Sequence, residues 1–198
     1  MMMHDILGAA RDYRASALEA LQQRLASDPM DVRQRAAHGF AWVATSVAAL
    51  EAVDAWLEAN NGGSGLDRNV ARLAFAETLA QLVGGLPMGQ NELFRPADLG
   101  AGAAAATLSQ AAQDLLAGDH APLRAAIAGA LAQGQWPTES FRDTELDAIR
   151  EQFRKFTDAE IIPAAHKWHL ANDLIPDDIV HRMADLGTFG VCIPEQFG

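Results

Sequence analysis

Ala36-Ala37-His38-Gly39-Phe40-Ala41-Trp42-Val43-Ala44-Thr45-Ser46-Val47-Ala48-Ala49-Leu50 is a stretch of 15 residues without a charge, a length that no uncharged stretch of this chain exceeds. A bilayer-spanning helix needs about 20 apolar residues. This run is shorter and carries His38, Thr45 and Ser46. Its apolar positions belong to a wider pattern: Val32, Ala36, Phe40, Val43, Val47, Leu50 and Leu57 recur at steps of three or four, with one turn skipped. That is the period of a helix with one buried face. The stretch therefore predicts a long core helix, with Asp28 as N-cap and Pro29 at the first helical position. Asn60-Asn61-Gly62-Gly63-Ser64-Gly65 stops it.

Outward from this helix the same texture continues. Asp5 to about Ala26 reads as an amphipathic helix with Ile6, Tyr13, Ala17, Leu21 and Leu25 near one stripe. Asp67 is expected to cap a helix from about Arg68 to Val83, ended by Gly84-Gly85-Leu86-Pro87. A loop through Arg95-Pro96 follows, then a helix from about Leu99 to Ala117 opened by Asp98, and a short one from Ala121 to Ala132 capped by Asp119. The short connections predict antiparallel packing. Alanine supplies close contacts, with 34 Ala and no Lys in residues 1–140.

The texture changes beyond Gln133-Gly134-Gln135-Trp136-Pro137-Thr138-Glu139-Ser140. Residues 141–198 hold 6 Ala and both lysines, Lys155 and Lys167. The reading is three parts: a helical extension over 1–135, a linker over 136–140, and a second segment over 141–198. In the second segment Asp143 or Thr144 caps a helix carrying Leu146, Ile149, Phe153, Phe156, Ile161, Ala164 and Trp168. Pro163 should kink or divide it. Asn172 to Pro176 is a turn. Asp177 and Asp178 open a shorter helix with Ile179, Met183 and Leu186 inward, stopped by Gly187. Ile193-Pro194-Glu195-Gln196-Phe197-Gly198 reads as an extended apolar tail. Two helices and a tail bury little by themselves, so this segment reads as the opening of a larger enzyme domain, with part of the function in residues outside this chain. The fold class is all-α.

Composition excludes several classes. Net charge is −11 and the isoelectric point about 4.8, which argues against a nucleic-acid or anionic-membrane surface. The N-terminus lacks the basic start and apolar core of a secretory signal. A single cysteine, Cys192, excludes an internal disulfide framework and suits a reducing cytoplasm; between Val191 and Ile193 it reads as a buried structural thiol.

Few residues suggest chemistry. His166 and His169 stand at i and i+3 with Asp173 nearby, but no third ligand at firm spacing joins them, so a charged surface face is favoured over a metal centre. Gly100-Ala101-Gly102-Ala103-Ala104-Ala105 matches a loose dinucleotide pattern without the preceding strand that the motif requires. His38 reads as a satisfied core histidine beside Trp42. Trp42, Trp56, Phe75, Phe153, Phe156 and Trp168 read as core or interface anchors. Glu151, Glu160 and Glu195 read as solvated carboxylates rather than general bases. Arg95 reads as an arginine tying a loop to a helix end, ahead of a carboxylate-binding role. No catalytic, cofactor-binding or metal-ligating residue is assigned.

The second segment resembles the start of the acyl-CoA dehydrogenase family. The residues that carry this are Ile149-Arg150-Glu151-Gln152-Phe153-Arg154-Lys155-Phe156, Glu160-Ile161-Ile162-Pro163-Ala164-Ala165, Pro176 to Leu186, and Leu186-Gly187-Thr188-Phe189-Gly190-Val191-Cys192-Ile193-Pro194-Glu195-Gln196-Phe197-Gly198. The extension is similar to an Ala-rich one found in part of that family. This second resemblance is carried by His38 to Thr45, by Leu82 to Glu92 and by Arg95-Pro96-Ala97-Asp98-Leu99. The resemblance implies a flavoprotein using FAD, an acyl-CoA thioester substrate, and α,β-dehydrogenation in which a glutamate removes the α proton and flavin N5 takes the β hydride. It implies electron transfer to an electron-transferring flavoprotein and a homo-oligomer. The flavin-contacting and catalytic residues would lie beyond Gly198, in the remainder of the dehydrogenase, and this piece alone would be inactive. The alternative reading is a non-enzymatic helical interaction or oligomerisation module.

Overall fold

The computed structural model describes residues 3–139 and 143–197, without the side chain of Glu195. Ser140, Phe141, Arg142 and Gly198, on which the expected linker and segment boundaries fall, lie outside the described residues. The chain forms two compact units, residues 1–138 and 139–198.

In the first unit, α1 (Met3–Ser27) and α2 (Met30–Ala59) are joined by two residues and lie against each other. α3 (Gly65–Gly84) packs on α2. The inward stripe of α1 is Ile6, Ala10, Tyr13, Ala17 and Leu21; that of α2 is Ala36, Gly39, Val43, Val47, Leu50 and Leu57. Phe75, Leu79 and Leu82 of α3 complete the central core. Each such fully buried side chain contributes roughly 1.5–3 kcal/mol relative to exposure. By length and composition α2 could cross a membrane; here its inward face is part of this core.

Several expected ends move. Pro29, not Asp28, is the N-cap of α2, and Asp28 instead pairs with Arg33. Ser64, not Asp67, caps α3: Asp67 N donates to Ser64 Oγ at 3.1 Å while Ser64 N donates to Asp67 Oδ2 at 2.7 Å. This reciprocal box starts the helix three residues earlier than expected. The segment after α3, read as a loop, contains a hairpin of β1 (Leu86–Gly89) and β2 (Glu92–Phe94) that pairs Leu86 with Phe94. Both of those side chains are buried.

The single helix expected over 99–117 is three pieces: α4 (Pro96–Leu99), α5 (Gly102–Ala111) and α6 (Gln113–Leu116). Gly100 breaks it with a left-handed φ of 89°, which glycine adopts without a Cβ clash. Asp98 is not an N-cap but the third residue of a turn, accepting from Arg95 N at 2.8 Å. α7 (Ala121–Ala132) has its expected bounds, and Asp119 Oδ1 accepts from Ala121 N at 2.9 Å.

The second unit opens with α8 (Thr144–Phe156), where Asp143 Oδ1 accepts from Glu145 N at 2.9 Å and Leu146 N at 3.1 Å. Pro163 has no N–H to continue an α-helical ladder. The chain answers with a π turn over Thr157–Ile161, in which Ile162 N donates to Thr157 O, before α9 (Ile162–Ala171) resumes. Asn172, at φ 54°, ends α9. α10 (Asp177–Asp185) follows and Gly187, at φ 76°, stops it. A 3₁₀ turn over Thr188–Gly190 follows, and the tail expected to be extended from Ile193 instead forms a second 3₁₀ turn at Glu195–Phe197. Its backbone is satisfied locally, with Ile193 N on Gly190 O and Phe197 N on Pro194 O, each at 2.9 Å. Ile179 is the only buried residue among the described residues of this unit.

Candidate functional site

The second unit carries an apolar cleft of about 510 Å³ between α8, the π turn, α9 and the segment that follows. Phe153, Phe156, Ile161, Trp168, Ile175 and Met183 form its walls; Thr157, His169, Asp173 and Thr188 are its polar members. The π turn helps open it, because an extra residue in one turn redirects the side chains that follow. Thr188 Oγ1 is buried with no hydrogen-bond partner. Outside the lining, the Arg182 guanidinium stands 5.6 Å from the Phe156 ring centroid and forks on Glu160 at 2.5 and 2.7 Å.

Two of the carboxylates named from sequence, Glu160 and Glu151, are engaged by basic side chains. The hydrogen bonds from Arg182 hold Glu160 below its ordinary range, opposite to what a general base working near neutral pH needs. Glu151 lies 3.8 Å from Lys155, a surface pair one helical turn apart. The side chain of Glu195 lies outside the described residues. His166 and His169 are both exposed. His169 and Asp173 line the cleft, while His166 does not. Among the described residues the single three-ligand group is His4, Asp54 and Glu58, with ligand atoms within 4.8 Å of one another; its His4 Nδ1 and Asp54 Oδ2 are 3.7 Å apart.

Other residues depart from their sequence reading. His38 is exposed rather than in the core, and accepts at Nε2 from Trp42 Nε1 at 3.0 Å. Cys192 is exposed, not buried. Phe75 is a core anchor as expected, whereas Trp42 is 40% exposed. The glycines of Gly100-Ala101-Gly102 are the end of one helix and the start of the next. With a helix rather than a strand before them, they form no phosphate cradle. The cleft is lined by no arginine or lysine. That cleft therefore offers no cation to the phosphates of a dinucleotide such as FAD.

Sequence reading missed the arginines that tie the first unit together. Arg24 Nη1 donates to Asp98 O at 2.6 Å. Arg35 donates to Leu93 O at 3.0 Å, pairs with Glu92 at 3.2 Å and stacks over Phe94 with 5.4 Å to the ring centroid. These two, not Arg95, fasten the loop region to α1 and α2. Nothing local in the sequence marks them, since their partners are 57 to 74 residues away.

Two classes of likeness bear on this architecture. Residues 143–198 match the acyl-CoA dehydrogenase N-terminal domain family, and this part of the chain is an N-terminal acyl-CoA dehydrogenase segment. More particularly, the chain is 35% identical over 196 residues to (2S)-methylsuccinyl-CoA dehydrogenase of Cereibacter sphaeroides, covering 92% of this chain and 35% of that protein. It is also 35% identical over 54 residues to glutaryl-CoA dehydrogenase of Desulfococcus multivorans, covering 27% of this chain and 14% of that protein. The chain thus spans about a third of the first relative. Coverage of 92% cannot be met by the second unit alone, so the likeness to the first relative runs through the helical extension as well.

Proposed function

We propose that this chain is the N-terminal part of an FAD-dependent acyl-CoA dehydrogenase that converts (2S)-methylsuccinyl-CoA to mesaconyl-CoA. The observation that carries this reading is the likeness extending through both units rather than through the family segment alone. In this reading the flavin, the base that takes the α proton and the acyl pocket belong to the remainder of the enzyme. Electrons leave to an electron-transferring flavoprotein, and the reaction serves the ethylmalonyl-CoA route in the cytoplasm. The extension over 1–135 is structural: its apolar faces dock on the dehydrogenase body and occupy surface that other members of the family use for oligomer contacts.

The exposed apolar residues of the second unit support this division of labour. Leu174 is 91% exposed, Leu170 72% and Phe197 75%. So many large apolar groups left in water mark a surface awaiting cover.

The test is the purified full-length protein. Its preparation should be yellow and should reduce an electron acceptor with (2S)-methylsuccinyl-CoA in preference to glutaryl-CoA. A flavoprotein active only on another thioester overturns the substrate; a colourless, inactive protein overturns the enzyme and leaves the interaction module. The 198-residue chain alone should bind no flavin. Removing residues 1–135 should change assembly or thermal stability, and unchanged values would refute the docking role.

A further inference from the structure

Asp67 is the one fully buried charged residue among the described residues, at 0% exposure. Its box with Ser64 is complete on its own and would leave an ordinary N3 carboxylate facing water. Its further partner is Thr138, 71 residues along the chain. Thr138 N donates to Asp67 Oδ1 at 2.8 Å, and Thr138 Oγ1 donates to Asp67 Oδ2 at 2.8 Å. The Thr138 carbonyl in turn accepts from Trp56 Nε1 at 3.0 Å. Every polar group of this residue is therefore engaged by the corner between α2 and α3.

The corner is shaped for that visitor. Asn61, Gly62 and Gly63 turn through left-handed φ values of 55°, 82° and 67°. A Cβ on Gly63 would stand 2.7 Å from Asp67 Cβ and 2.9 Å from Leu57 Cδ2. The chain from Gln135 to Thr138 has no regular secondary structure, so side-chain bonds alone hold its end. A charge-assisted bond to a buried carboxylate is the strong kind, and losing the two Thr138 donors would leave Asp67 with only the Ser64 amide.

We propose that Asp67 and Trp56 form a fastening for Thr138, so that residues 133–138 move as part of the first unit. The stretch that composition marks as a linker is then a strap with a fixed point of departure. The fastening does not depend on the reaction proposed above.

Amide hydrogen exchange on the full-length protein tests it. The Thr138 amide should exchange about a hundredfold or more slower than a free peptide, as protected amides do. Thr138→Ala and Trp56→Phe leave the Ser64–Asp67 box intact. Together they should raise exchange at Thr138 about tenfold or more, a little over one hydrogen bond's net worth, with amides of α1 to α3 unchanged. Free-peptide exchange at Thr138 in the unaltered protein overturns the proposal. So does unchanged protection in the double variant, or loss of protection that spreads through α2 and α3, since either would mean that Thr138 is not locally fastened.

Discussion

Gly39 lies directly under the ring of Phe94: a Cβ built at Gly39 would stand 2.3 Å from Phe94 Cε2 and Cζ. Glycine inside a helix costs about 1 kcal/mol relative to alanine, and the site accepts that cost to let a hairpin ring sit on the helix backbone. Gly39→Ala should therefore destabilise the first unit despite the better helix former. Overpacking of this kind typically costs about 1–3 kcal/mol. Phe94→Leu should relieve the clash, so that the two changes couple by about 0.5–3 kcal/mol in a double-mutant cycle. Urea denaturation of the four proteins measures it; simple additivity would mean that the ring moves aside freely.

This same contact shows why the long helices were legible in the sequence and the hairpin was not. The α2 pattern repeats over 30 residues, enough for the helical period to stand out. β1 and β2 have four and three residues and include Pro87 and Gly89, too short and too irregular for alternation to show. Helix bounds failed where the deciding partner was three residues away instead of at the cap itself, as with Ser64 and Asp67. The family segment was readable from an ordered run of motifs. The cleft, the Arg24 and Arg35 ties and the Thr138 fastening were not, because each joins residues whose spacing carries no local signal.

Tyr13 is the single tyrosine of the chain and is 1% exposed. Burial disfavours the phenolate and pushes its pKa up to about 12 from 10.0. A raised folded value makes its contribution to stability fully present below about pH 10, the unfolded value, and lost progressively up to about 12. Absorbance of tyrosinate at alkaline pH should thus show no step near 10 in the folded protein. Tyr13→Phe should flatten the alkaline limb of thermal stability between those two values. A phenolate forming near pH 10 without unfolding would contradict the burial.

Cys192 should react in the native state. The thiol is exposed, lies in a 3₁₀-flanked turn and shares no buried apolar pocket, so nothing shields it from a disulfide reagent. One equivalent per chain should react without denaturant. Full-length protein should protect it if the dehydrogenase body covers the second unit. The ratio of the two rates then reports that cover directly, and equal rates would place Cys192 in solvent in both.

The Asp67 carboxylate gives the acid limb a residue-level prediction. Burial by itself would raise its pKa, but hydrogen bonds from Ser64 and Thr138 outweigh this and hold it below 3.8. The sign follows: a depressed folded value means that the unfolded state binds the proton more readily. The stabilisation is then present above about pH 4 and lost as pH falls through the lower folded value. Asp67→Asn keeps the shape and one acceptor oxygen but removes the charge and presents an amide NH₂ to Ser64 or Thr138. It should cost about 1–3 kcal/mol at neutral pH. That cost should shrink as both proteins are taken below pH 4, because protonation removes the same charge from the unaltered protein. Glu51, held low by Arg11 and Arg14, and Asp98, held low chiefly by the Arg95 amide, titrate in the same direction. The unfolding curves of both proteins will therefore still fall with acid, and the discriminating quantity is their difference. A difference that stays constant from pH 7 to pH 3 would mean that Asp67 gains nothing from its charge in the fold.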